Sequence, residues 1–215
     1  MSSSRRFKSL RRQVETKVPK PKIIIYSEGE KTEFDYFKEI ERAFPCVLVD
    51  VEIIEGAGVP FTIAEKATRA AQEERYRNRR QSYAGRDEFW AVFDRDEHPN
   101  VPEAISRCRD ANVGVAFSNP CFELWLILHF QDFDRPDHRH DVQRHLESIC
   151  GDYDRAKRKT TDCGKLMVFV AEAERRAERQ LQRRKEEGNP PGPPFTTVYE
   201  LTRRIRQGST PPLGD

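Results

Sequence analysis

A chain of 215 residues is long enough to bury a core, and reads as one ordinary domain or one domain with an appendage. Its hydrophobic share of 36% is low and its charged share of 34% is high, so a modest core with long solvated helical faces is expected; the longest apolar run, Leu124 to Leu128, is far too short for a bilayer. A net charge of +2 implies no partner by itself, and Cys46, Cys108, Cys121, Cys150 and Cys163, with no C-x-x-C pair, point to reduced, mostly buried thiols instead of a zinc knuckle or a disulfide framework.

In chain order, residues 1–21 form a Ser-rich basic arm ending in Val18-Pro19-Lys20-Pro21, expected to be flexible. Its start lacks the apolar stretch of a secretory signal, so a cytoplasmic protein without membrane attachment is expected. Lys22 to Tyr26, with three successive isoleucines, reads as the first strand, and a helix follows from about Lys31 to Ala43 on the apolar positions Phe34, Tyr36, Phe37 and Ile40. Val47 to Ile54 reads as the second strand, "EGAGVPFT" as a turn, and Thr62 to Arg80 as a long charged helix with a weak apolar stripe. "EFWAVFDRDEH" is a third strand ending in acids, Val101 to Ala111 a short helix, and Val113 to Phe117 a fourth strand. "SNPCFELWLILHF" opens the next helix, with Asn119 as N-cap and Pro120 at the first helical position. Trp90 and Trp125 read as core.

Strands alternating with helices predict an α/β fold with a mostly parallel four-stranded sheet and helices on both faces. The strands are expected to stop near residue 131, so the divisions are a core over 22–131, a helical extension packed on it over 132–207, and a disordered tail over 208–215. Within the extension, 141–150, 163–187 and 198–205 read as helices, separated by the breaker "GNPPGPP". "DHRHDVQRH" lacks helical zinc spacing and reads as surface.

The chemistry concentrates at strand ends. Gly29-Glu30-Lys31-Thr32 half matches a phosphate-binding loop, but the upstream glycine is absent and Glu28 and Glu30 flank Gly29. Carboxylates beside the backbone N–H groups argue against a direct phosphate cradle. In an open α/β sheet the loops after the strands line the ligand crevice, and there the first strand delivers Glu28 and the third delivers Asp94 and Asp96. The i, i+2 spacing of the aspartates on extended chain points both carboxylates to one side. If those strands are neighbours, the three acids converge, and a hard divalent cation, Mg²⁺ or Mn²⁺, resolves their repulsion. Each acid alone would equally serve as a helix cap or a solvated strand end.

Glu123 stands among Phe122, Leu124, Leu126 and Ile127, so its carboxylate needs a cation, a metal or a helix N-terminus as partner. It is a candidate for a second metal or for positioning water, the alternative being a first-turn acid favoured by the helix dipole. Glu33 is a candidate metal ligand with the same alternative. Lys31, Arg95, His98 and Asn119 are candidate substrate contacts, His98 also as a proton shuttle, against plain surface roles. Two basic regions suit a polyanion or merely a solvated face: residues 1–22, and 155–186 with Arg155, Lys157, Arg158, Lys159, Arg175, Arg176, Arg179, Arg183, Arg184 and Lys185.

A Glu-Gly turn after the first strand with Asp-x-Asp after the third resembles the Toprim domain of topoisomerases, primases and OLD-type nucleases. More closely, "YSEGEKTEFDYF", "VFDRDEH", "SNPCFELWLILHF" and "NPPGPPFTTVYEL" together resemble the RloB-like family over roughly residues 22–205. That resemblance implies a Toprim-like, Rossmann-like fold, with Glu28, Asp94 and Asp96 at the Toprim metal positions. It also implies a setting in phage-defence and restriction-linked loci beside an AAA- or ABC-type ATPase. The expected function is a Mg²⁺-dependent phosphodiesterase, a nuclease acting on DNA or RNA; the alternative is a non-catalytic, metal-stabilised module that binds nucleic acid or a nucleotide. Oligomeric state is left open, a homo-oligomer included.

Overall fold

The structure, a computed structural model, describes residues 21–28, 31–45, 50–78, 86–95, 98, 100–153, 162–188 and 190–207. The expected basic arm, Asp96, the basic residues 155–159, Cys46 and the C-terminal tail lie outside the described residues.

β1 (Lys22–Ser27), with Ile23, Ile24 and Ile25, is an interior strand flanked on both edges, which is why it reads as a continuous apolar run. It is followed by α1 (Thr32–Ala43), β2 (Asp50–Ile54), α2 (Pro60–Asn78), β3 (Glu88–Asp94), α3 (Val101–Asp110), β4 (Gly114–Asn119) and α4 (Glu123–Phe130). The sheet order is β2-β1-β3-β4 with all four strands parallel, and a fifth strand, β5 (Phe195–Thr196), is antiparallel to β4. The chain runs from β1 outward to β2, then back across β1 to β3 and on to β4. Right-handed crossovers therefore place α1 on one face and α2 with α3 on the other. The α/β class and the mostly parallel sheet agree with expectation.

Two expectations are corrected. The strands do not stop at residue 131, because β5 extends the sheet just beyond the proline-rich breaker. The N-terminus of α4 is not at Asn119-Pro120. Asn119 is the last residue of β4, paired with Phe195, and the helix begins at Glu123 with Phe122 before it. Asn119 therefore lies four residues before the first helical residue, too far along the chain to be its N-cap.

Residues 123–129 of α4 are buried on every side, as a helix apolar all round must be. Tyr36 of α1 presents its ring edge-on to Phe122, Trp125 and His129. Beyond α4 come α5 (Arg139–Ile149), α6 (Cys163–Leu166), a 3-10 turn (Met167–Phe169), α7 (Val170–Glu187) and α8 (Val198–Gln207), so the helix expected over 163–187 is broken near its start. α7 packs on α4 and β5, and α8 on β4 and α1. Trp125 is fully buried as expected, whereas Trp90 is only partly buried, its ring lying over Gly114. Cys108, Cys121, Cys150 and Cys163 are buried and not in disulfides. Among the described residues no helix is long and apolar enough to cross a membrane.

Candidate functional site

The direction of chain connection reverses between β1 and β3, and in open α/β sheets the crevice at the carboxyl ends of such strands is where ligands bind. Ser27 pairs with Val92, and the Glu28 N–H continues the ladder by donating to Val92 O at 3.3 Å. On the next strand Asp94 pairs with Ser118, and the Arg95 N–H donates to Ser118 O at 2.8 Å. Glu28 and Asp94 are thus carried side by side on backbone that the sheet holds in place.

Two further acids come in from helix starts. Glu33, in the first turn of α1, is 9% exposed, and Glu123, the first residue of α4, is 5% exposed. The Asp94 carboxyl is pushed well above its ordinary range, first by loss of hydration and then by the negative charges of Glu33, Glu123 and Glu28, against a hydrogen bond from the Phe122 N–H. Three carboxylates, Glu28 from just beyond β1 and Glu33 and Glu123 from helix starts, are therefore near enough for their charges to act on Asp94.

Of the partners expected for Glu123 (a cation, a metal or a helix N-terminus), the described residues place it at the N-terminus of α4 and add neutral donors. Its Oε1 accepts from the Tyr153 hydroxyl at 2.8 Å and from Gln143 Nε2 at 3.1 Å. The Cys121 thiol also donates to Glu123 and is pushed well above its ordinary range by burial, then by Glu123 and Asp94. Sequence reasoning misses Gln143, Tyr153 and Cys121. The only signal for them is indirect: a buried acid must have donors, but nothing in the chain says which segment brings them.

His98 Nε2 lies 3.8 Å from Glu28 Oε1, beside the cluster. Lys31 is exposed at the start of α1, where its charge acts on Asp35, and Arg95 is exposed just after β3. Asn119 ends β4, its backbone committed to β5. The arginines of α7 face the chain itself: Arg179 pairs with Asp132 at 2.8 Å, Arg183 and Arg184 with Asp134 at 2.9 Å and 2.5 Å, and Arg176 donates to Leu128 O at 2.8 Å. That helix is a clamp on residues 128–134 more than an open basic face.

Among the described residues no three His, Cys, Asp or Glu side chains stand at the spacing of a ready coordination shell, and Asp96 lies outside them. The donor chemistry nevertheless fits a hard divalent cation. The donors are all carboxylate oxygens, their charges oppose one another, and Mg²⁺ needs only one or two protein carboxylates because it keeps several waters.

No curated protein and no solved structure matched the chain. The family model for RloB-like proteins matches residues 23–205, most of the chain, and the protein therefore belongs to the RloB-like family.

Proposed function

We propose that this protein is a Mg²⁺- or Mn²⁺-dependent phosphodiesterase, a nuclease. The observation that carries the reading is that Glu28 and Asp94 stand on adjacent strand ends at the point where strand connections reverse, with the charges of Glu33 and Glu123 acting on Asp94. The resemblance of Glu28 and the Asp94-Arg95-Asp96 run to the Toprim pattern supports the same reading. Glu28 and Asp94, with Asp96, would hold the cation, Glu33 would join them, and Glu123 would complete a second position or orient water. A bound divalent cation would polarise the phosphate and lower the pKa of a coordinated water.

The chain's own groups supply the rest. Strand ladders on both sides keep Glu28 and Asp94 in register, so the acids need little rearrangement to act together. His98, within 3.8 Å of Glu28, stands where a proton can be exchanged with the reacting groups. Lys31 and Arg95, both exposed at this end of the sheet, are positioned for a phosphate backbone, whose contacts give affinity without sequence choice. The family resemblance, which implies a setting in defence loci beside an AAA- or ABC-type ATPase, supports control of the nuclease by such a partner.

Because the described carboxylates do not by themselves form a coordination shell, a second reading is a non-catalytic module that binds nucleic acid or nucleotide around a structural ion. One assay separates the two: DNA and RNA incubated with the chain, its co-purified ATPase, and Mg²⁺ or Mn²⁺, beside the Asp94→Asn variant. Metal-dependent cleavage that disappears in folded Asp94→Asn is expected. Cleavage retained by that variant rules out this mechanism, and nucleic-acid binding without cleavage supports the module.

A further inference from the structure

We propose that Tyr153 and Gln143 are positioning residues that aim Glu123 at the Asp94 cluster, so that the α5 segment forms a wall of the site; this rests on the metal-dependent reading above. Both side chains are buried, Gln143 at 2% and Tyr153 at 3% exposure, and both donate to the same oxygen, Glu123 Oε1, at 3.1 Å and 2.8 Å. Two donors fill the two lone pairs of that oxygen and leave Oε2 to carry the remaining acceptor capacity. Those two hydrogen bonds hold the carboxylate in one orientation.

The kind of donor matters as much as the number. An arginine would bring a positive charge to Glu123, whereas a phenol and an amide are neutral donors that fix its direction. For packing alone the arrangement is wasteful. A buried carboxylate carries a desolvation cost that an apolar side chain of similar volume avoids, and here three polar groups (Tyr153, Gln143 and the Cys121 thiol) are buried to accommodate it. A carboxylate held in one direction by neutral donors is suited to a cation site. Residues that orient metal-binding carboxylates through a hydrogen bond commonly change metal affinity by roughly 10–100-fold when replaced.

The test is Mn²⁺ titration by calorimetry on the full chain: wild type, Tyr153→Phe, Gln143→Met, Glu123→Gln and the Tyr153→Phe/Glu123→Gln double variant. Tyr153→Phe removes one oxygen and should keep the fold; Gln143→Met, close in shape, is an independent probe of the same carboxylate. The expected result is a Kd for Mn²⁺ weakened about 10-fold by either replacement, with no further loss when Tyr153→Phe is added to Glu123→Gln. A general structural role would instead weaken binding equally in both backgrounds, and that result overturns the proposal. Wild-type affinity in both Tyr153→Phe and Gln143→Met overturns it too. Absence of Mn²⁺ binding by the wild type is a different failure: it removes the metal-dependent reading, and with it this role.

Discussion

A Cβ added at Gly114 would stand 2.4 Å from Trp90 Cδ2, because Gly114 and Trp90 are partners across β4 and β3. The indole lies flat over the glycine, and the atoms in the way belong to the rigid ring. Gly114→Ala should therefore destabilise the protein by about 1–3 kcal/mol, the usual cost of overpacking, measured by urea denaturation. An unchanged midpoint would mean that the ring moves aside freely. His129 makes a second prediction. Its Nδ1–H donates to Trp125 O at 3.0 Å, so its Nε2 accepts from the Tyr36 hydroxyl, also at 3.0 Å. Burial, chiefly, lowers its pKa to about 4. Since the unfolded chain binds this proton near pH 6.5 and the folded chain only near pH 4, the contribution is complete above pH 6.5 and is lost as pH falls toward 4. The loss should be on the order of 3 kcal/mol, and His129→Gln should lose that much less between pH 7 and pH 4. Identical pH slopes for the two proteins would contradict it. Glu123 shows the limit of sequence reading at this scale: its burial is legible from Phe122, Leu124, Leu126 and Ile127, but its donors come from residues 20 and 30 positions later.

At the scale of elements, β1 and β3 were legible because each is an apolar run that ends abruptly in an acid. β5 was not, because a two-residue strand has no alternation to detect; only its pairing with β4 defines it. The next residue, Thr197, completes that edge with its side chain. Its hydroxyl accepts from the Phe117 N–H at 2.9 Å and donates to Val115 O at 3.0 Å. Thr197→Val keeps the shape and strands the Phe117 N–H, so a loss of about 1–3 kcal/mol is expected, with faster amide exchange at Phe117. Unchanged exchange there would show that water replaces the hydroxyl. The same pairing takes in Asn119, the expected cap of α4, and α7 teaches the converse lesson. Arg176, Arg179, Arg183 and Arg184 look like a basic face in one dimension and become a clamp once the 128–134 segment folds against them.

At the scale of the whole molecule, alternation of strands and helices was enough to put Glu28 and Asp94 at the carboxyl ends of the first and third strands, but only the observed order makes those strands neighbours, and the reversal of connection between β1 and β3 supplies the crevice. The C-terminal third was expected to pack on this core; what alternation does not reveal is how it does so, through β5 at the sheet edge, α8 on β4, and Gln143 and Tyr153 at Glu123. The central claim is that the carboxylates around Asp94 hold a divalent cation. Its most direct test is a Mg²⁺ and Mn²⁺ titration by calorimetry, wild type beside Asp94→Ala/Asp96→Ala. Saturable binding in the wild type that vanishes in the double variant is the predicted result. Binding of equal strength in both proteins would put the cation elsewhere and contradict the account.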